Sequence, residues 1–291
     1  MAGMSKNTIK TYVLLAALGG FFILIGGAFA QGPGLMIGLI LGLVMVGGSY
    51  WFSDKVAVKA ARAVPVTEAE APALYRIVRD LTTRANMPMP KLYVTPSLQP
   101  NAFATGRNPD HAAVACTQGI LQMLSEEELS GVLAHELSHV GNRDILIGSV
   151  AAVIAMSITF VARMAMFGAM FGGGGGGRDR RNPMGELAMA ILAPVAAMFL
   201  QMALSRSREF EADRSGARLL GTGEPLARAL EKIEVGAKQI PMNVNPAQAQ
   251  AYIVNPLTGR QMSAAKLFMT HPPTAERVER LRKMHPGAAG F

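Results

Sequence analysis

His135 and His139 stand four residues apart, and Glu136 directly follows the first of them. On a helix that spacing places the two imidazoles one turn apart on one face. There they can take two of the tetrahedral positions around a zinc ion. Glu136 then sits beside the metal, where its carboxylate can take a proton from water and deliver it to a leaving amine, which is the chemistry of peptide-bond hydrolysis. Chance alone would put two histidines and a glutamate in this arrangement in roughly one chain in a hundred of this size. The flanks also read as helix. Ser125 and Glu128 form a capping-box pattern upstream, and Leu129, Val132, Leu133 and Val140 recur at helical spacing.

A catalytic zinc site usually keeps three protein ligands and leaves a fourth position open. Spacing does not identify the third. The extended pattern with a glycine and a third histidine is absent, since Asn142 and Ile145 hold those places. The other histidines are His111, His271 and His285; the carboxylate alternatives are Glu209, Glu211 and Asp213. The single cysteine, Cys116, excludes a cysteine-rich cluster and an intramolecular disulfide. Glu209, Ala212, Asp213 and Gly216 share one helical face, and the small Ala212 and Gly216 would let that helix approach the His135 helix closely. Asp213, one turn beyond Glu209, suits a carboxylate that accepts the second N–H of His135 or His139. His271 precedes Pro272 and Pro273, which fix a turn; it reads either as a structural histidine or as a hydrogen-bond donor to a tetrahedral oxyanion. Arg277 reads as a structural ion-pair partner.

The elements that must position these residues include membrane segments. Half of the residues are hydrophobic and only 16% are charged, well under the usual quarter. Runs 12–30 and 35–52 are each close to the ~20 apolar residues that cross a bilayer core. Lys6 and Lys10 precede the first, Lys55, Lys59 and Arg62 follow the second, and the Gln31-Gly32-Pro33-Gly34 turn between them is uncharged. Both ends of this hairpin are therefore expected on the cytoplasmic side. Ala28-Phe29-Ala30 also resembles a signal-peptide cleavage site, but a second span follows at once and the orientation is the same under either reading. Segments 145–171 and 184–204 are apolar too, interrupted by Arg163 in one and by Glu186, Pro194 and Gln201 in the other. Two spans are expected, and four if both of these cross. The glycine run 172–177 between them reads as a flexible loop. The net charge of +8 is assigned to the cytoplasmic face and its anionic lipids. No recognition motif accompanies it, so no nucleic-acid partner is expected.

The rest reads as an α+β, mainly helical domain. Thr67 and Glu70 make a capping-box pattern, predicting a helix from there to about Ala85 with Leu74, Ile77, Val78 and Leu81 on its buried face. Runs 91–95, 102–105 and 111–117 predict a small antiparallel sheet. A helix is predicted within 222–241, an irregular loop over 241–259, and a final helix over 274–284 with Val278 and Leu281 facing inward. Residues 101–106 would form an edge strand. Such an edge, through Asn101, Ala102, Phe103 and Ala104, can take an extended substrate as an added strand.

From end to end the chain resembles the HtpX-type membrane proteases, relatives of the CAAX prenyl endopeptidases. The resemblance rests on the apolar hairpin, Asn101-Ala102-Phe103-Ala104-Thr105-Gly106, the His135-Glu136-x-x-His139 helix, and two further apolar segments. Ser205-Arg206-x-Arg208-Glu209-Phe210-x-Ala212-Asp213 and Thr270-His271-Pro272-Pro273 complete it. It implies a zincin-like fold, one Zn²⁺ per subunit, and Glu209 as third ligand beside His135 and His139, with Glu211 a bystander. It also implies a membrane hairpin (1–53) followed by a protease domain (54–291) facing the cytoplasm of an inner membrane. The implied task is quality control, with misfolded membrane proteins as substrates. Two rivals are a relative specialised for prenylated peptides and an inactive scaffold or zinc-binding sensor. The intact Glu136 argues against the second, since zinc binding alone needs no base there.

Overall fold

The protein is described by a computed structural model over residues 44, 51, 53–106, 108–144, 206–239 and 272–285. The hairpin (apart from Val44 and Trp51), segments 145–171 and 184–204, loops 172–177 and 241–259, and His271 lie outside the described residues. Among the described residues no helix is long and apolar enough to cross a membrane. The chain divides into two units, Met1–Ser49 with Leu146–Leu204, and Tyr50–Ile145 with Ser205–Phe291. The sheet, and the helices that build the site, belong to the second unit.

Helix α1 (Ser53–Ala60) leads into strand β1 (Val64–Pro65), a short element not read from the sequence. Helix α2 (Pro72–Arg84) buries Leu74, Ile77, Val78 and Leu81, as their spacing predicts, but it starts later than the capping pattern suggests. Pro72 occupies its first turn, the helical position where a missing N–H costs nothing. Glu70 Oε2 instead accepts from the N–H and hydroxyl of Thr67, both at 2.7 Å, and so closes a separate turn ahead of the helix.

Strands β2 (Lys91–Thr95), β3 (Ala102–Thr105) and β4 (Ala113–Thr117) fall close to the predicted runs. Their arrangement corrects the antiparallel expectation. The sheet order is β1-β2-β4-β3, with β2 parallel to β4 and the other two pairs antiparallel, so the sheet is mixed. The physical reason lies in β4. Its residues Ala113, Val114, Ala115, Cys116 and Thr117 are all buried, and an unbroken apolar run belongs in the middle of a sheet rather than at its rim. β4 therefore slots between β2 and β3, leaving β3 at the edge.

The β3–β4 connection depends on Gly106. Its φ of +127° is open to glycine, and a Cβ there would lie 2.2 Å from the carbonyl oxygen of His111. Gly106→Ala is expected to lower stability by about 1–3 kcal/mol through backbone strain alone, with more from the clash. Thermal unfolding of the variant against wild type measures it; an unchanged midpoint would show that the turn relaxes freely.

Helix α3 (Gln118–Met123) is capped by Thr117 and runs into α4 (Glu126–Gly141). The α4 capping box is present in full: Ser125 Oγ accepts from Glu128 N–H, and Glu128 Oε2 accepts from Ser125 N–H. α4 is buried along almost its whole length and packs on α2, on β3 and on α6 (Glu224–Gln239). Before α6 comes α5, whose described part is 206–220. The final helix, α7 (Thr274–Arg282), packs on α6 and buries Val278 and Leu281 as predicted. It also buries Arg277. A large apolar cluster joins Leu81, Val114, Ile120, Leu133, Leu137, Leu230, Ile233 and Leu281. Buried on this scale, α4 is a rigid platform for the side chains it presents.

Candidate metal centre

Helix α5 crosses α4 at its smallest residues. A Cβ on Gly216 would lie 3.0 Å from the backbone nitrogen of His135, and Ala212 is fully buried beside it. That close approach, expected from the small-residue face, brings Glu209 to the two histidines. His135 Nε2 and His139 Nε2 are 3.2 Å apart, and Glu209 Oε2 and Oε1 lie 3.6 and 3.5 Å from them in turn. A regular tetrahedron with bonds of about 2.0–2.1 Å has edges of about 3.3–3.4 Å. The separations, two of them to different oxygens of Glu209, are close to those edges, and among the described residues the three groups are a set that could hold an ion. Two neutral imidazoles and one carboxylate are a donor set that suits zinc. Glu211, by contrast, is exposed and pairs with Arg214, and His111 bonds to Asn108 at the surface.

Both imidazoles are oriented through their other nitrogen. His135, 1% exposed, has its Nδ1 2.9 Å from Asp213 Oδ1. His139 Nδ1 is 2.8 Å from Asp144 Oδ2. Sequence reading misses Asp144. Its approach depends on Arg143, which adopts φ +58° just after α4 and turns the chain back toward His139. A left-handed arginine carries no signal of the kind a glycine would. The Asp144 carbonyl in turn accepts from Arg208 Nη1 at 3.0 Å, tying the end of α4 to α5. Burial disfavours the charged Arg208 and lowers its pKa, although Asp144 and Glu209 support the charge.

Arg277 closes the site from α7. It is 1% exposed and bidentate to Asp213, with Nε to Oδ2 at 2.9 Å and Nη2 to Oδ1 at 2.7 Å. Its Nη1 is 3.6 Å from Glu209 Oε2, and its Nη2 is 3.4 Å from both ring nitrogens of His135. Burial works against charge on Asp213 and Arg277, but each outweighs burial for the other: the Asp213 pKa is lowered and the Arg277 pKa raised. Burial likewise opposes protonation of His135, yet its bonds to Asp213 and Glu209 raise its pKa to about 9. The carboxylates that attract a proton to His135 attract a divalent cation equally, so the two compete for Nε2.

Glu136, 7% exposed, reaches the sheet, where its Oε2 accepts from the Ala104 N–H at 2.9 Å. The strand predicted to meet substrate therefore runs directly beside the glutamate predicted to act as base. Cys116 lies behind them on β4; burial, with the nearby charge of Glu136, pushes its thiol up to about 12, which makes it inert.

A profile of the family described as peptidase family M48 matches residues 68–285. A protein named protease HtpX homolog from Pelotomaculum thermopropionicum is 51% identical over 280 residues, covering 96% of this chain and 99% of that one. Another of the same name, from Syntrophobacter fumaroxidans, is 53% identical over 282 residues with the same coverage. Among solved structures, S. mikatae Ste24p is similar with a TM-score of 0.54 at 20% identity, over 94% of this chain and 64% of that longer one. That last likeness is one of fold.

Proposed function

The chain belongs to peptidase family M48, and on that footing we propose that it is a membrane-anchored zinc endopeptidase with a site made of His135, His139, Glu209 and Glu136. It is a metalloprotease. The observation that carries it is the convergence of His135 Nε2, His139 Nε2 and the Glu209 carboxylate within metal-ligand reach of one another, with a further carboxylate on the residue after His135.

A zinc ion held by these three residues supplies Lewis acidity toward a scissile carbonyl and toward water. Asp213 and Asp144 hold the two imidazoles through Nδ1, leaving both Nε2 atoms on the Glu209 side, where they would serve as ligands. Arg277 keeps Asp213 ionised, and so keeps His135 in that orientation. Glu136 takes the proton of the attacking water on its carboxylate and passes it to the departing amine nitrogen. Strand β3 lies beside Glu136 and suits an extended peptide bound through main-chain hydrogen bonds, a mode that tolerates many side chains.

For location, runs 12–30 and 35–52 suit a spanning hairpin with its basic flanks in the cytoplasm. All four apolar segments fall in or beside one chain unit, whereas the site residues belong to the other. A site six residues from the apolar segment that begins at Ile145 suits cleavage of misfolded membrane proteins on the cytoplasmic side. The test uses purified full-length protein in detergent, with casein as an unfolded substrate and zinc measured on the same sample. We expect one zinc per chain and cutting, and Glu209→Ala should lose both. Wild type loaded with zinc that leaves casein and unfolded membrane proteins intact would overturn the reading.

A further inference from the structure

The main-chain N–H of Ala104 has a task that strand pairing does not give it. In an antiparallel pair, successive residues turn their N–H and C=O alternately toward and away from the partner strand. Thr117 N–H donates to Asn101 C=O at 2.9 Å, so Asn101 faces β4. The register Ala102↔Cys116, Phe103↔Ala115, Ala104↔Val114 continues without a bulge. Phe103 and Thr105 therefore also face β4, while the N–H of Ala104 points out of the sheet. It reaches Glu136 Oε2 at 2.9 Å. Glu136 sits in a crowded place for an anion, 7% exposed on an otherwise buried helix.

Resting on the protease reading above, we propose that the Ala104 amide is a positioning group for the base: it fixes the Glu136 carboxylate at the height of β3, in the plane where substrate main chain is bound. A carboxylate on two freely rotating methylenes samples several rotamers, and only some aim an oxygen at the reacting water. With Oε2 bound to Ala104, the rotamer is set and Oε1 is left for proton transfer. The same bond also constrains the substrate side. Since this N–H is committed to Glu136, a substrate strand reads β3 without it, and any shift of β3 on binding moves the base as well. Base and substrate strand are thus one mechanical unit.

Proline at an edge position whose N–H points out of the ladder is compatible with a strand, so Ala104→Pro deletes the donor while sparing the β3–β4 bonds. On casein-derived peptides we expect Ala104→Pro to lower kcat about 10–100-fold, the worth of one hydrogen bond to a charged group. KM, zinc content and unfolding midpoint should stay near wild type. Should the proline variant fold poorly, lactic acid incorporated at position 104 converts only that amide to an ester and should give the same fall in kcat. A separate readout needs no activity: the Ala104 amide should exchange its hydrogen slowly in wild type and faster in Glu136→Ala, with its β3 neighbours unchanged. Unaltered kcat without the N–H, a rise in KM alone, or exchange indifferent to Glu136 would overturn the inference. Normal exchange coupling in a protein that cuts nothing would instead count against the protease reading beneath it.

Discussion

Glu136→Gln is expected to keep its zinc and lose peptide hydrolysis by about 10²–10⁴-fold in kcat, the usual contribution of a positioned general base. The retention follows from geometry: the triangle that would hold the ion is made by His135, His139 and Glu209, and Glu136 bonds elsewhere, to Ala104. The loss follows from chemistry. Glutamine has nearly the shape of glutamate, and its amide oxygen can still accept from the Ala104 N–H, so helix, strand and rotamer survive. What disappears is the capacity to take a proton and return it. The comparison also separates a protease from a zinc-binding scaffold of the same fold, because a scaffold has no use for that capacity. Cutting by Glu136→Gln at the wild-type rate, with zinc content equal in both samples, would sink the catalytic assignment.

How far the site is written in the sequence depends on how local each part is. The His135 helix is legible because its signals lie within one helix: capping box, apolar spacing, and two histidines a turn apart. The approach of α5 is legible because Ala212 and Gly216 are too small to keep helices apart, and the spacing of Glu209 and Asp213 follows from that same face. Strand positions are legible as well, but not their order. Whether β2 pairs with β3 or with β4 is decided by which strand can be buried on all sides, a property of the assembled sheet. Two other departures have similar causes. Thr67 and Glu70 carry a helix-start pattern, yet Pro72 sets the start and the pair closes a turn. Asp144 is not legible because its approach needs Arg143 in a left-handed conformation. The Ala104–Glu136 bond is invisible for a plainer reason: a main-chain donor has no letter of its own in a sequence.

Arg277 shows the same limit and carries the second large expectation. The sequence marks it as a structural ion-pair partner but names neither the partner nor the depth, and it is among the most buried side chains described. Arg277→Met, which keeps most of the apolar stem and removes the charge, is expected to destabilise the folded domain by about 3–5 kcal/mol. That is the usual cost of leaving one member of a buried ion pair behind. The stranded group is Asp213, 1% exposed, whose carboxylate would keep His135 as its close partner among the described residues. The loss depends on pH with a definite sign. In wild type the Asp213 pKa is lowered, burial raising it but Arg277 and His135 lowering it more. The pair therefore contributes stability above the unfolded carboxylate value of about 4, and that contribution fades as pH falls through the lower folded value. Without Arg277 the folded pKa of Asp213 moves up, because burial still raises it and the largest charge that lowers it is gone. The penalty is then largest at neutral pH and shrinks as acid protonates the buried carboxyl. Unfolding midpoints of wild type and Arg277→Met should accordingly converge between about pH 7 and pH 4. Adding Asp213→Asn should restore part of the loss, with a coupling of about 1–3 kcal/mol. A deficit that is equal at both pH values and unaffected by Asp213→Asn would mean that Arg277 supports the fold by packing alone. Asp213 would then owe its charge, and His135 its orientation, to something other than this arginine.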